Sequence, residues 1–132
     1  IPNCIIKIKS LIKLNLSENK ISEIPDAIEC INNLEQFILS DNNISLLPEA
    51  LGNMSNLQVL DLSNNKITDI PPHLCNLKNL KVLILAGNKI KELPEDISNL
   101  SNLQRLDISY TLINEKEVEK LKASLPGCQI IF

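Results

Sequence analysis

Few residues in this chain have the types and spacing that catalysis or metal binding requires. His73 is the only histidine among 132 residues, and Cys75 follows it two positions later. The two side chains could contribute to a zinc site, but such sites usually need three or four protein ligands. We expect His73 to be a surface residue without a chemical role, and we predict no metal site and no cofactor.

Asp61 and Asp107 are the carboxylates whose placement most resembles a catalytic pair. They occupy equivalent positions in two similar segments, and two strand spacings in one sheet would separate them by about 10 Å. That distance is rather large for a glycosidase pair. The chain contains no G-x-S-x-G or P-loop motif, and its three glycines leave little room for a glycine-rich phosphate loop. The sequence therefore predicts a protein that is not an enzyme.

The composition argues against other classes of function. The formal net charge is -3, whereas a nucleic-acid-binding protein is expected to carry a face rich in Lys and Arg. No apolar run approaches the roughly 18 residues of a membrane-spanning helix, so we expect no membrane insertion. The four cysteines form no C-x-x-C pair, and reduced thiols are the expected state.

A repeat with a step of 23 residues organises the chain. Each full unit opens with L-x-x-(L/F)-x-L-x-x-N, and this alternation predicts a short strand. Equivalent strands of successive units should lie side by side in a parallel sheet, one strand for each unit. The units begin at Leu11, Leu34, Leu57, Leu80 and Leu103.

The second half of each unit reads I-x-x-(I/L)-P-x-x-(L/I)-x-x-(I/L/M). Its proline excludes a strand within the sheet, and the apolar spacing after the proline favours a short helical turn on the outer face. The stack should curve, with the strands on its concave side. We interpret the chain as one domain, with a half unit at 1–10, full units at 11–33, 34–56, 57–79 and 80–102, and a last unit with its cap at 103–132.

The first ten residues match the second half of a unit. Ile1-Pro2, Ile5 and Ile8 correspond to Ile24-Pro25, Ile28 and Ile31. We expect the chain to be the C-terminal part of a longer array, or a chain trimmed to its ordered region. The open apolar edge is a candidate for self-association, through which a homodimer could form.

The last unit departs from the repeat and predicts a cap. Asn114 and Glu117 have the spacing of a capping box at the start of a helix. The apolar residues that follow share one helical face, and Pro126-Gly127 ends the helix. The closing segment from Gln129 to Phe132 should add a last strand or a plug, so we expect the C-terminal end of the protein to be present.

The pattern LxxLxLxxNxIxxIPxxIxxLxN resembles the leucine-rich repeat family over essentially the whole chain. Its length and proline position are similar to the Ras-associated intracellular subclass and to many bacterial members, including those of spirochaetes. The resemblance implies an α/β fold: a right-handed solenoid with parallel strands on the concave face, short helical or irregular turns on the convex face, and a helix-strand cap. It also implies that the concave face binds other proteins.

The fold leaves the second, third, fifth, seventh and eighth positions of each unit free. Several of these positions carry apolar residues in the middle units, which predicts an exposed apolar patch surrounded by charges, as is common at protein interfaces. The predicted partner-binding residues are Gln36, Ile38, Val59, Asp61, Val82, Ile84, Arg105, Asp107 and Tyr110.

The asparagine at the ninth position of each unit is predicted to have a structural role. An Asn side chain both donates and accepts, so it can satisfy backbone groups where the chain turns after the strand. We expect these residues to form a ladder through the stack rather than a binding site. They are Asn19, Asn42, Asn65 and Asn88.

The function that these observations favour is non-catalytic recognition of a protein partner on the concave face. Two alternatives remain open from the sequence: a structural segment that only spaces a longer array, and a regulatory domain of a larger enzyme. The sequence identifies neither the partner nor the compartment, which could be the cytoplasm or, for a bacterial protein, the cell surface or exterior.

Overall fold

Short parallel strands form one side of the molecule. The computed structural model describes residue 1 and residues 4–132, with only the backbone of Ile6, so the match of Pro2 to Pro25 lies outside the described residues. Across these residues the strands are β1 Lys13–Asn15, β2 Gln36–Ile38, β3 Val59–Asp61, β4 Val82–Ile84, β5 Arg105–Asp107 and β6 Gln129–Ile131.

The strands pair in the order β1-β2-β3-β4-β5-β6, and every pairing is parallel. The register joins equivalent positions of successive units, so Phe37 lies beside Leu60 and Leu60 beside Leu83. In β1 to β5 the central residue of the strand is buried and its two neighbours face the other side. The parallel sheet predicted from the repeat is confirmed.

The return half of each unit forms a short helix of the 3₁₀ type. Pro25, Pro48, Pro71 and Pro94 lie just before four of these helices, in extended backbone that a proline adopts easily. The prediction of short helical turns is confirmed. The 3₁₀ helices of the described chain are Ile5–Lys7, Asp26–Cys30, Glu49–Asn53, Pro72–Asn76 and Glu95–Asn99.

The core lies between the strands and these turns as one continuous stack. Each layer takes Leu, Ile or Phe from the strand and from the facing turn, for example Leu60 and Leu74, both fully buried. Because every layer is covered by the layers beside it, the stability of one unit depends on its neighbours.

The predicted C-terminal cap is confirmed as a helix followed by a strand. Helix α1 spans Glu115–Ser124, and the Asn114 Oδ1 atom accepts a hydrogen bond of 3.0 Å from the Glu117 N–H at its first turn. Val118 and Leu121 are buried on the inner face of α1. The closing segment forms β6, which pairs with β5, rather than a plug. Within the described residues α1 is the longest helix, and ten residues are too few to cross a bilayer.

Candidate functional site: the concave face

The concave face consists of the outward side chains of the strands, arranged in two rows. Residues of one row are register partners on adjacent strands, so neighbours lie about 5 Å apart. The first row is Lys13, Gln36, Val59, Val82, Arg105 and Gln129; the second is Asn15, Ile38, Asp61, Ile84, Asp107 and Ile131.

An apolar cluster, here called the central patch, occupies the middle of this face: Ile38, Val59, Val82 and Ile84. The structure brings these four side chains together on three adjacent strands. Each of the four side chains is partly exposed and partly buried. The partial burial follows from the strand spacing, since neighbours in a row cover one another in part.

The second row alternates in polarity from strand to strand. Ile38, Ile84 and Ile131 lie on even-numbered strands, and Asp61 and Asp107 on odd-numbered strands. Each aspartate is therefore flanked by isoleucines on both sides. The charges do not only surround the apolar residues, as we expected from the sequence, because Asp61 lies among them.

The carboxylate of each aspartate is held by a serine two residues later. Asp61 Oδ1 accepts from the Ser63 N–H at 2.9 Å and from the Ser63 hydroxyl at 2.6 Å. Asp107 and Ser109 repeat the arrangement at 3.1 and 2.6 Å. This pattern of Asx at the fifth position and Ser at the seventh was visible in the sequence, but its hydrogen bonding was missed.

The two aspartates differ in their ionic contacts. The Arg105 guanidinium lies 3.6 Å from Asp107 Oδ2 and partly neutralises it. No ion pair to Asp61 is present among the described residues. Ile84 lies between Asp61 and Asp107 in the row, so the two carboxylates are two strands apart.

Tyr110 has an unusual backbone conformation. Its φ is 55°, and its side chain is 91% exposed. The equivalent residues of the other units, Glu18, Asp41, Asn64 and Gly87, also have positive φ. A left-handed backbone is costly for a bulky residue, so Tyr110 is a poor choice for the turn itself. Asn64 and Gly87, two residue types that tolerate positive φ, occupy this position in two units, but the sequence analysis did not predict the turn from them.

The ninth-position asparagines bond to backbone groups of their own unit and of the preceding one. Asn65 Nδ2 donates to the carbonyls of Leu39, Leu62 and Ser63, and Asn65 Oδ1 accepts from the Ile44 N–H at 2.9 Å. Asn42 and Asn88 make the same set of bonds and are also buried. Asn19 is exposed in the first strand's unit, where its Nδ2 donates to Leu16 and Ser17.

A second series of asparagines, which the sequence analysis did not assign, ends each full unit. Asn56 Nδ2 donates to the Asn32 carbonyl at 2.8 Å, and Asn79 Nδ2 donates to the Ser55 carbonyl at 2.8 Å. Asn33 and Asn102 repeat this contact. The regular Asn at position 23 of the unit was the available signal. These bonds tie the start of each strand to the preceding unit.

His73 and Cys75 lie on one convex turn, Pro72–Asn76. His73 is partly buried, not simply on the surface as expected, and its Nε2 atom is enclosed without a hydrogen-bond partner among the described residues. Burial, together with the nearby charge of Asp96, raises the pKa of the Cys75 thiol to about 11, so the thiol stays protonated and unreactive at neutral pH. All four cysteines are free. Across the described residues no three His, Cys, Asp or Glu side chains converge to hold a metal ion.

The sequence matches the family model described as leucine rich repeat over residues 3–44 and 55–113, and a second model, of two leucine-rich repeats, over residues 32–76. The chain belongs to the leucine-rich repeat family. Among curated proteins, no sequence matches it significantly.

Solved structures similar to this leucine-rich repeat chain come from bacteria and plants. A leucine-rich repeat protein of Leptospira interrogans is 34% identical over 100% of the chain, with a TM-score of 0.80. An internalin, InlF, of Listeria monocytogenes is 28% identical over 96% of the chain, with a TM-score of 0.81. The ectodomain of the Arabidopsis thaliana receptor kinase GASSHO1/SCHENGEN3, solved in complex with CASPARIAN STRIP INTEGRITY FACTOR 2, is 27% identical over 99%, with a TM-score of 0.84.

The chain spans only a part of each of these proteins: 40% of the Leptospira protein, 36% of the internalin and 16% of the receptor ectodomain. The likeness establishes the solenoid fold of this chain. It does not transfer the activities or partners of the larger proteins to this chain.

Proposed function

We propose that this chain is a non-catalytic recognition module that binds a protein partner on its concave face. The observation that carries the proposal is the central patch, where four apolar side chains lie on three adjacent strands outside the core. Polar residues stand around it, including Gln36, Arg105 and Asp107. An apolar centre with a polar rim is the usual anatomy of a protein interface.

The fold does not require apolar residues in the central patch. β1 and β5 carry Lys13, Asn15, Arg105 and Asp107 at the same two outward positions and still pair in register. Strand propensity favours Ile and Val in general, but β1 and β5 demonstrate that polar residues are accommodated at these positions. The predicted contact Tyr110 adds a second argument, since a strained and exposed aromatic residue is better suited to binding than to folding.

The related structures support a binding role. The plant receptor ectodomain, which shares the fold of this chain, was solved in complex with CASPARIAN STRIP INTEGRITY FACTOR 2. We infer recognition of a protein by the present chain from the same fold, with its own central patch setting the identity of the partner.

The experiment compares charged variants of the concave face with a control elsewhere. Partners captured from cell extract by the wild-type chain would be quantified again with Ile38→Lys and with Ile84→Lys. Leu46→Lys places the same charge on an exposed leucine outside the sheet and serves as the control. We expect both patch variants to lose capture by at least about tenfold, as for truncated hot spots, while the control retains it. Unchanged capture by both patch variants would refute the proposal.

We further propose that the open edge beside β1 supports a homodimer. In the described sheet β1 pairs on one side only, and Ile8 and Ile12 are 48% and 49% exposed. A strand with one unpaired edge next to exposed isoleucines is a surface on which a second copy can pair.

A further inference from the structure

Asp61 is the one charged side chain within the central patch. Its register partners are Ile38 on β2 and Ile84 on β4, and Val59 lies two residues earlier on the same face of β3. The carboxylate is thus surrounded on three sides by apolar groups. Any partner that covers the central patch must also cover this carboxylate.

The Asp61 carboxylate is held in place but is not neutralised. Oδ1 is occupied by the Ser63 N–H and hydroxyl, at 2.9 and 2.6 Å. The carboxylate has no ion-pair partner in the described part of the chain. Nearby basic side chains have other contacts, since Arg105 lies against Asp107 and Lys81 Nζ donates to Gln58.

Covering an unpaired carboxylate with an apolar surface would be strongly unfavourable, because the charge loses its water without gaining a partner. An interface avoids this cost when the opposite surface supplies a cation. We propose that the protein partner presents a Lys or Arg side chain to Asp61, with apolar side chains on both sides of it that pack on Ile38 and Ile84. This inference rests on the proposed function of the concave face and specifies the chemistry of its partner.

The spacing of the second row also limits what the partner can present. Ile38, Asp61 and Ile84 follow one another at steps of about 5 Å, so the partner's basic group and its apolar side chains must be separated by a similar distance. A partner with acidic residues at its centre would be repelled, which makes Asp61 a determinant of specificity as well as of affinity.

The chain offers a conservative variant and a matched control. Asp61→Asn removes the charge and keeps an oxygen that can accept the hydrogen bonds of Ser63. The native chain has this arrangement at Asn15, whose Oδ1 atom accepts from the Ser17 N–H at 2.9 Å and from the Ser17 hydroxyl at 2.7 Å. Asp107→Asn makes the same change two units later, at a carboxylate that already has Arg105 beside it. The two variants differ in whether the lost charge lies within the central patch.

The test selects binders from a displayed library of random linear peptides on the wild-type chain. Only peptides that fail to bind Ile84→Ser are kept, so that contact with the central patch is required without a new charge beside Asp61. We expect these peptides to be enriched in Lys or Arg next to apolar residues. As synthetic peptides they should lose about tenfold in affinity on Asp61→Asn and about twofold or less on Asp107→Asn.

A second set of peptides, with the basic residue changed to Met, completes a double-mutant cycle. These peptides should bind wild type and Asp61→Asn equally, because the coupling between the two charges has been removed. Peptides that depend on Ile84 but bind Asp61→Asn as tightly as wild type would overturn this inference and leave the proposed function intact. A library that yields no peptide dependent on Ile84 would count against both.

Discussion

At the scale of single residues, the buried asparagines determine how one unit is joined to the next. Asn65, in the turn after β3, makes two hydrogen bonds to the preceding unit: its Nδ2 donates to the Leu39 carbonyl, and its Oδ1 accepts from the Ile44 N–H. Asn65 is 7% exposed, so these backbone groups depend on its side chain rather than on bulk water. The loss of such a side chain leaves several backbone groups without partners.

We therefore predict that Asn65→Ala lowers the free energy of unfolding by about 2–4 kcal/mol, from the cost of unsatisfied buried groups. Urea denaturation measures this change directly. Asn19→Ala is the matched control, because Asn19 is exposed and its Nδ2 bonds to nearby carbonyls of its own unit. Equal losses in the two variants would show that bonds between units are not what Asn65 contributes.

Cys75 gives a prediction about pH. Its thiol has a pKa of about 11 in the folded chain against an ordinary value of 9.0, mainly because it is buried. Above pH 9 the unfolded thiol ionises while the folded thiol keeps its proton, so ionisation favours unfolding. The contribution of Cys75 to stability is complete below pH 9 and falls as the pH rises towards 11.

The measurement is the free energy of unfolding from urea titrations between pH 8 and pH 11. Other groups titrate in this range, so the wild-type curve is compared with that of Cys75→Ala. We expect the difference between the two proteins to shrink as the pH rises. A constant difference would mean that the folded thiol ionises as readily as the unfolded one.

At the scale of elements, the convex turns pack more closely than their sequence suggests. Gly52 lies in the Glu49–Asn53 turn, and a β-carbon added there would meet the backbone carbonyl of His73 in the next turn. The backbone of His73 has little freedom to move, since it belongs to a 3₁₀ helix of the same stack. The glycine is required by this close approach and not by its own backbone angles.

We predict that Gly52→Ala costs about 1–3 kcal/mol, the range typical of overpacked sites. Thermal or urea unfolding would measure the loss. Gly127→Ala is the control, because no atom lies within 4 Å of the added β-carbon there. If Gly52→Ala proves as harmless as the control, the turns must separate easily, and the stack is looser than described.

The elements were largely predictable because the repeat fixes them. The period and the apolar alternation identify β3 and its equivalents, and Asn114 with Glu117 identifies the start of α1. The left-handed residue after each strand was missed because four of its five members are not glycine. The partial burial of His73 was missed for a different reason: it depends on how close adjacent units lie.

The candidate site was only partly predictable. The sequence indicates which side chains face outward, and Ile38, Val59, Val82 and Ile84 lie at outward positions of three adjacent strands. The sequence does not reveal that Asp107 has Arg105 beside it, while Asp61 has no such partner in the described chain. Long charged side chains can reach several neighbours, and only geometry decides among them.

At the scale of the whole molecule, the two ends of the stack differ. At the C-terminal end α1 packs on the last convex turn with Val118 and Leu121 buried, whereas at the other end β1 has an open side and Ile8 is exposed. We predict that the chain forms a dimer at high concentration and that Ile8→Glu restores the monomer, because charges at the edge oppose pairing. Light scattering over a range of concentrations gives the mass. A monomer throughout, or a dimer that Ile8→Glu leaves intact, would contradict the proposed edge contact.

The central claim is that the concave face is where the partner binds, and site-specific photo-cross-linking tests it most directly. A photoreactive residue would replace Val82 on the concave face, or Asn76 on an exposed convex turn, and each chain would be irradiated with the captured partner. The proposed function predicts a cross-link from position 82 and none from position 76. A partner that cross-links from position 76 and not from position 82 would place recognition on the convex side and contradict the proposal.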